Sequence, residues 1–268
     1  MNKLAGAACA LVMVLTATSC SDGKIPLTYS FDEPEGTHYL WKVDSATTIN
    51  SSTDQSSTRL EMEIEVHERI LEESGHDDPV LAITLTPEHL RQDGQELALP
   101  EPVTVRYLLN PEGHIVELVD TDVSASAASA LELGGLLARS RIPLPESPVG
   151  IGGTWDAPLV LEGQTGSFDM EGQGRLLGFS LQDRRRLAEI EIDRSGEVTG
   201  FEQLAGVLVQ LRGRSTSTTT SRLDIDRGVL LSSYSEFSTS FDMSRLESGQ
   251  LAGTLDVSLT SELELQPE

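Results

Sequence analysis

Leu251-Ala252-Gly253-Thr254-Leu255-Asp256-Val257-Ser258-Leu259-Thr260-Ser261-Glu262-Leu263-Glu264-Leu265 alternates with a period of two. Leu255, Val257, Leu259, Leu263 and Leu265 take one face, while Thr254, Asp256, Ser258, Thr260, Glu262 and Glu264 take the other. That is the pattern of a half-buried strand with a solvated outer side. The same period spreads outward from this stretch. Val229 to Phe241 runs back from an Asp226-Arg227-Gly228 turn, and Val207 to Ile225 precedes it. Leu187 to Ile192 alternates, and Arg194-Ser195-Gly196 reads as a turn after it. Near the start, Tyr39, Trp41 and Val43 alternate with polar residues. Leu60, Met62, Ile64 and Val66 alternate with Glu61, Glu63 and Glu65. Val80 to Leu85 and Val103 to Leu109 are β-rich runs. Asn110-Pro111-Glu112-Gly113 then turns the chain into His114 to Val119. Ser and Thr fill many outward positions, as on a solvated antiparallel sheet.

One segment departs from this period. In Asp122 to Arg139, Val123, Ala127, Ala130, Leu133 and Leu137 recur near every 3.6 residues, so one central helix is expected there. Thr121 or Asp122 is placed to cap it, and Gly134-Gly135 weakens its middle by roughly 1 kcal/mol per glycine. Ile142-Pro143-Leu144-Pro145 ends it. Trp41 and Trp155, Met62 and Met170, and Gly113 and Gly228 recur at near-equal offsets. These are the offsets of a duplicated unit of four or five strands, or of two stretches alike in β composition. The fold class is therefore mainly β: a curved antiparallel sheet or partial barrel around one helix. The expected half-repeats are 36–120 and 149–268, joined by a helix and proline-rich connector over 121–148.

The first nineteen residues read as an address. Met1-Asn2-Lys3 carries one charge, Leu4 to Leu15 is apolar, and Ala17-Thr18-Ser19 are small. This is a secretory signal pattern, and its apolar run falls short of the roughly 20 residues a spanning helix needs. Leu15-Thr16-Ala17-Thr18-Ser19-Cys20 resembles a bacterial lipobox, although Ala17 stands where Leu is commonest. The resemblance implies cleavage before Cys20 and a diacylglycerol thioether on its sulfur. Each acyl CH₂ buried in a bilayer contributes about 0.8 kcal/mol, so two or three chains anchor stably. Cys9 leaves with the signal, so no thiol and no disulfide remain in the mature chain. Residues 20–35 read as a lipidated tether and 36–268 as one β-rich extracytoplasmic domain. Ser21 after the lipidated Cys implies the outer membrane, facing the periplasm, in a two-membraned cell. In a one-membraned cell the protein would sit on the outer face of the cell membrane.

Charge narrows the function classes. The 268 residues carry 43 Asp+Glu against 19 Lys+Arg, a formal charge of −24. This acid excess speaks against nucleic acid, whose phosphates need clustered Lys/Arg to neutralise them, and against a protein body that clings to anionic lipid. Only three of the cations are lysines.

Chemical motifs are missing as well. His38, His67, His76, His89 and His114 have no metal-ligand spacing. His67-Glu68-Arg69-Ile70-Leu71 has Leu71 where a zinc-protease helix needs its second His. His76-Asp77-Asp78 and Asp224-Ile225-Asp226 supply too few oxygens for calcium and read as solvated turns. No G-x-S-x-G elbow occurs. Gly172-Gln173-Gly174-Arg175-Leu176-Leu177-Gly178 has one residue too many for a dinucleotide loop and reads as a bent strand. No catalytic residue, metal or cofactor is expected. Arg184-Arg185-Arg186 reads as a solvated hairpin turn or as a docking patch for an anionic partner.

Leu144-Pro145-Glu146-Ser147-Pro148-Val149-Gly150-Ile151-Gly152-Gly153-Thr154-Trp155, with Tyr39-Leu40-Trp41-Lys42-Val43, resembles a family of uncharacterised bacterial lipoproteins. Their shared features are an aromatic-Lys start and an LP-x-x-PV-x-x-G-x-x-W centre. The usual Gly-Asp of that centre is Gly152-Gly153 here. The resemblance implies a β-rich extracytoplasmic fold and no assigned activity. The prolines make a stiff crossing, and Trp155 is expected to anchor the next strand. Two functions follow as expectations. One is a non-enzymatic lipid-anchored envelope protein that binds a hydrophobic ligand or envelope component. The other is a structural or protein-interaction lipoprotein.

Overall fold

The computed structural model describes residues 23–30, 36–51, 54–71, 79–109, 115–121, 142–162, 166–204, 207–246 and 249–267. The helix expected over 122–139, Cys20, His76 and His114 lie outside the described residues. Among the described residues there is no helix, and the thirteen strands form one sheet. They are β1 (Thr37–Ser51), β2 (Gln55–Leu71), β3 (Val80–Gln92), β4 (Gln95–Glu96), β5 (Val103–Leu109) and β6 (Ile115–Thr121). The second series is β7 (Thr154–Asp156), β8 (Leu159–Glu162), β9 (Gly166–Gln182), β10 (Arg185–Leu204), β11 (Val207–Asp224), β12 (Val229–Arg245) and β13 (Leu251–Leu265). All pairings are antiparallel in the order β6-β5-β3-β2-β1-β13-β12-β11-β10-β9-β7, with β4 on β3 and β8 on β9. The two expected half-repeats thus occupy two consecutive arcs, joined where the first strand meets the last. No pairing among the described residues joins β6 to β7, so the sheet is not closed.

Alternation and register together give the sheet an inner face. Trp41 stands opposite Ile64 on one side and Leu263 on the other, and Val43 opposite Met62 and Ser261. Trp41, Ile64 and Leu263 are all buried. One apolar cluster takes in Val105 of β5 and Ala188, Ile190 and Ile192 of β10. A flat sheet would hold those strands about 34 Å apart, seven spacings of about 4.8 Å. They share a core because the sheet curls.

Two extended segments complete that core. Leu27, Ile142 and Leu144 are buried in it. Ile25 and Val149 exchange backbone hydrogen bonds of 2.9 and 3.0 Å. The Tyr29 hydroxyl donates to the Ile142 carbonyl at 2.9 Å. Trp155 Nε1 donates to the Pro143 carbonyl at 2.9 Å, which ties the proline crossing to β7. Residues 23–30, read in the sequence as part of a tether, therefore belong to the packed body.

One expected turn is corrected. Arg194-Ser195-Gly196 lies inside β10, paired without a break to Ser217, Thr216 and Ser215 of β11. Gly196 serves close approach and not chain reversal. A Cβ there would lie 2.0 Å from the Asp169 carbonyl oxygen of β9. The glycine-rich 172–178 stretch is likewise strand, in β9. Its register slips by one where Glu189 faces Gly178 and Ile190 faces Leu176, leaving Leu177 as the extra residue of a bulge. The true reversal comes at Asp183 and Arg184, both left-handed with φ of 49° and 69°. Two such residues make the primed two-residue turn that suits strand twist.

Candidate functional site

The inner face divides into three zones along β10 to β13. The large core lies at the end where β1 begins. A second apolar cluster of Val198, Val209, Leu211, Phe241, Met243 and Leu255 lies at the opposite end. Between them runs a belt of small hydroxyl residues. Ser221 faces Ser233, Thr219 faces Ser235, and Ser215 faces Thr239 across β11 and β12. The first two pairs hydrogen-bond at 2.9 Å each, and Ser215 bonds Thr239 as well. Ser261 of β13 extends the belt toward β1. All seven are buried, with Ser215 at 0% exposure. The Gly213 to Ser221 face is therefore an interior surface.

Arg194 adds a charge to this belt. It stands opposite Ser217 and Gly172 and is 5% exposed. Its Nε donates to the Ala157 carbonyl at 2.9 Å. Burial pushes the guanidinium down to about 10, so it stays cationic at neutral pH. Gly172 makes room for it, since a Cβ there would meet Arg194 Cγ at 2.6 Å. A hydroxyl carries one proton and two lone pairs, so the bonded pairs keep spare acceptors, and Ser215 also donates to the Ser238 carbonyl at 3.4 Å. Belt and guanidinium together can hold a polar or anionic group, with apolar surface on either side.

The other residues singled out in the sequence are scattered. His38 and His67 face one another on β1 and β2 with stacked rings, 4.2 Å between centroids. His67 is in a strand, which removes any helical zinc motif. His89 Nδ1 lies 3.4 Å from Glu96. Among the described residues no group of three His, Cys, Asp or Glu is placed to hold a metal. Asp224 is a turn residue, its Oδ1 accepting the backbone N–H of Asp226 and Arg227 at 3.0 and 3.1 Å. Arg186 pairs with Asp226, whose carboxyl that hydrogen bond holds below its ordinary value. No described helix is long and apolar enough to cross a membrane. Sequence reading missed Arg194 because it took the residue for part of an exposed turn.

The interior also sets an alkaline limit. Burial pushes the Tyr107 hydroxyl up to about 12, against about 10 in an unfolded chain. The unfolded chain thus loses this proton first. The stabilisation is intact below pH ~10 and lost as pH rises through ~12, a change of about 2–3 kcal/mol. Arg194, with its depressed value, acts in the opposite sense over that window, equally in both chains of the comparison. Tyr107→Phe is expected to flatten the alkaline slope of the urea-unfolding free energy. Parallel slopes in the two chains would refute it.

No family model and no curated protein matches the chain. Among solved structures it is similar to DynF from the dynemicin biosynthesis pathway of Micromonospora chersina. That match has 9% identity and a TM-score of 0.26, over 92% of this chain and 88% of that one. It is also similar to the COG4313 outer membrane channel from Pseudomonas putida F1, at 9% identity and a TM-score of 0.25, over 92% and 99%. A DUF1329 family protein from Desulfovibrio piger matches at 10% identity and a TM-score of 0.19, over 88% and 89%. The likeness is distant and is one of β-rich chains.

Proposed function

We propose that this is a non-enzymatic, lipid-anchored envelope protein that holds an amphiphile on the inner face of its sheet. The observation that carries the reading is the buried belt of hydroxyls and Arg194 between two apolar clusters. Stability alone would favour large apolar side chains there, because buried polar groups gain little and a buried charge is costly. A polar head would lie on the belt, with its apolar chain along one of the two flanking clusters. The signal pattern of residues 1–19 and the lipobox-like 15–20 support an extracytoplasmic site, anchored through Cys20.

A second reading has its own observation. Phe201, Val207, Leu208, Leu246 and Leu251 are 43–62% exposed near the ends of two hairpins that touch through Leu246 N–H and the Leu208 carbonyl. Such a patch suits a protein partner.

The mature chain, isolated gently from cell envelopes, decides between them. Native mass spectrometry is expected to find a bound amphiphile, lost in Arg194→Met while the fold is kept. Replacing a buried charge by a like-sized apolar residue is often neutral for stability. A folded protein that is ligand-free before and after the substitution would sink the first reading. The mass of the N-terminal peptide reads acylation of Cys20 separately.

A further inference from the structure

A second site lies on the outer side, at the end of the sheet where β9 turns into β10 and β11 into β12. Residues 183–186 and 222–228 bring five arginines and three aspartates together, in a chain of charge −24. A groove of about 650 Å³ there is lined by Gln182, Arg185, Arg222, Arg227, Ser232 and Glu264, among others. Arg222 Nη2 donates to Gln182 Oε1, which fixes its guanidinium across the β9–β11 gap. Ser232 stands beside it on β12.

Two of the nearby carboxylates, Asp224 and Asp226, each face an arginine. Asp224 is fully buried, with Oδ1 occupied by the turn and Oδ2 3.9 Å from Arg185 Nε. Asp226 is taken by Arg186. Glu264 stays on the groove wall. Arg184 holds a left-handed φ of 69°, a conformation in which arginine is disfavoured against glycine or asparagine. The cations are concentrated on this hairpin and on the β11–β12 hairpin beside it.

We propose that this groove is an anion site for a phosphate group, gripped by the guanidinium forks of Arg185 and Arg222. Arginine forks match phosphate oxygens two at a time. The phosphate has two sources, a lipid headgroup or a soluble phosphorylated molecule. The headgroup is favoured because Ser30, ten residues after Cys20, reaches this end and donates its N–H to the Gly228 carbonyl at 3.0 Å. That preference, unlike the site itself, rests on the lipid-anchor reading.

The test is hydrogen exchange of the mature chain with three probes: inorganic phosphate, phosphatidylcholine vesicles, and vesicles of phosphatidylcholine with phosphatidylglycerol. Protection of the amides of 181–186 and 222–228 is expected with phosphatidylglycerol and not with phosphatidylcholine alone. Arg185→Gln and Arg222→Gln are each expected to weaken it about tenfold. Arg175→Gln, whose guanidinium lies 4.0 Å from Glu191 and outside the groove, serves as the control. Protection by inorganic phosphate but not by vesicles keeps the site and makes the source soluble. Protection by neither, or equal protection in the arginine variants, overturns the proposal. A chain without acyl groups on Cys20 that still binds phosphate separates this site from the anchor.

Discussion

Trp41→Ala is expected to destabilise the fold by about 3–5 kcal/mol, the range for removing a large buried aromatic side chain. The indole is 1% exposed. It sits in the strand that joins the two arcs, opposite Ile64 and Leu263. Loss of the ring opens a cavity that three strands share, and strands locked by long ladders collapse into it poorly. The indole also carries a cost of its own, since Nε1 has no hydrogen-bond partner among the described residues. Trp41→Phe removes that orphan donor and keeps most of the ring. Its cost is therefore expected to stay below about 1.5 kcal/mol, the usual range for a well-tolerated apolar swap. Urea unfolding of the three chains, with unchanged m-values, measures both steps. A loss for Phe above about 1.5 kcal/mol would show that the indole N–H is satisfied after all.

Gly196→Val is expected to be the other severe substitution, at about 1–3 kcal/mol or beyond. The Cβ would lie 2.0 Å from the Asp169 carbonyl oxygen and 2.5 Å from Met170 Cα. Both are backbone atoms of the paired strand and cannot swing aside. The change must push β9 and β10 apart where their inner faces meet the belt. Gly178→Ala is the matched control. Nothing lies within 4 Å of a Cβ there, so its effect is expected within about 0.5 kcal/mol. Thermal unfolding of the two variants reads the contrast. Equal shifts would mean that the strands relax around the new side chain and the close approach carries no cost.

What was legible in the sequence was whatever depends on near neighbours. Leu255 to Leu265 alternates because one side meets the core and the other meets water, and β13 runs through it. Asp226-Arg227-Gly228 reverses the chain as its residue types suggest, with Gly228 at a φ of 64°. Gly196 and Gly172 were harder, because what they answer to is a carbonyl far away in the chain, Asp169 for one and Ala157 for the other. A glycine that accommodates a distant backbone looks, in one dimension, like a glycine that turns. Arg194 was misplaced for the same reason. The hydroxyl belt was visible as a run of small residues, but whether it faced water or interior depended on how far the sheet curls. Leu27 gave no periodic signal, since the segment around it packs by crossing the sheet end and not by joining a strand.

The antiparallel pairing of β1 with β13 sets Tyr39 beside Leu265. The centre of the sheet is thus built from the two extremes of the chain, and it must wait for the last strand to be synthesised. Pairing across such a sequence distance is slow. The same adjacency makes the order of strands a ring with one break. A short hairpin loop from Gln266 to Thr37, with new ends opened between β6 and β7, makes sequence neighbours of all paired strands except β3 with β5 and β7 with β9, which β4 and β8 separate. Such a circular permutant gives up the segment around Leu27, so it is expected to keep the strand order at lower stability and to refold faster in stopped-flow measurements.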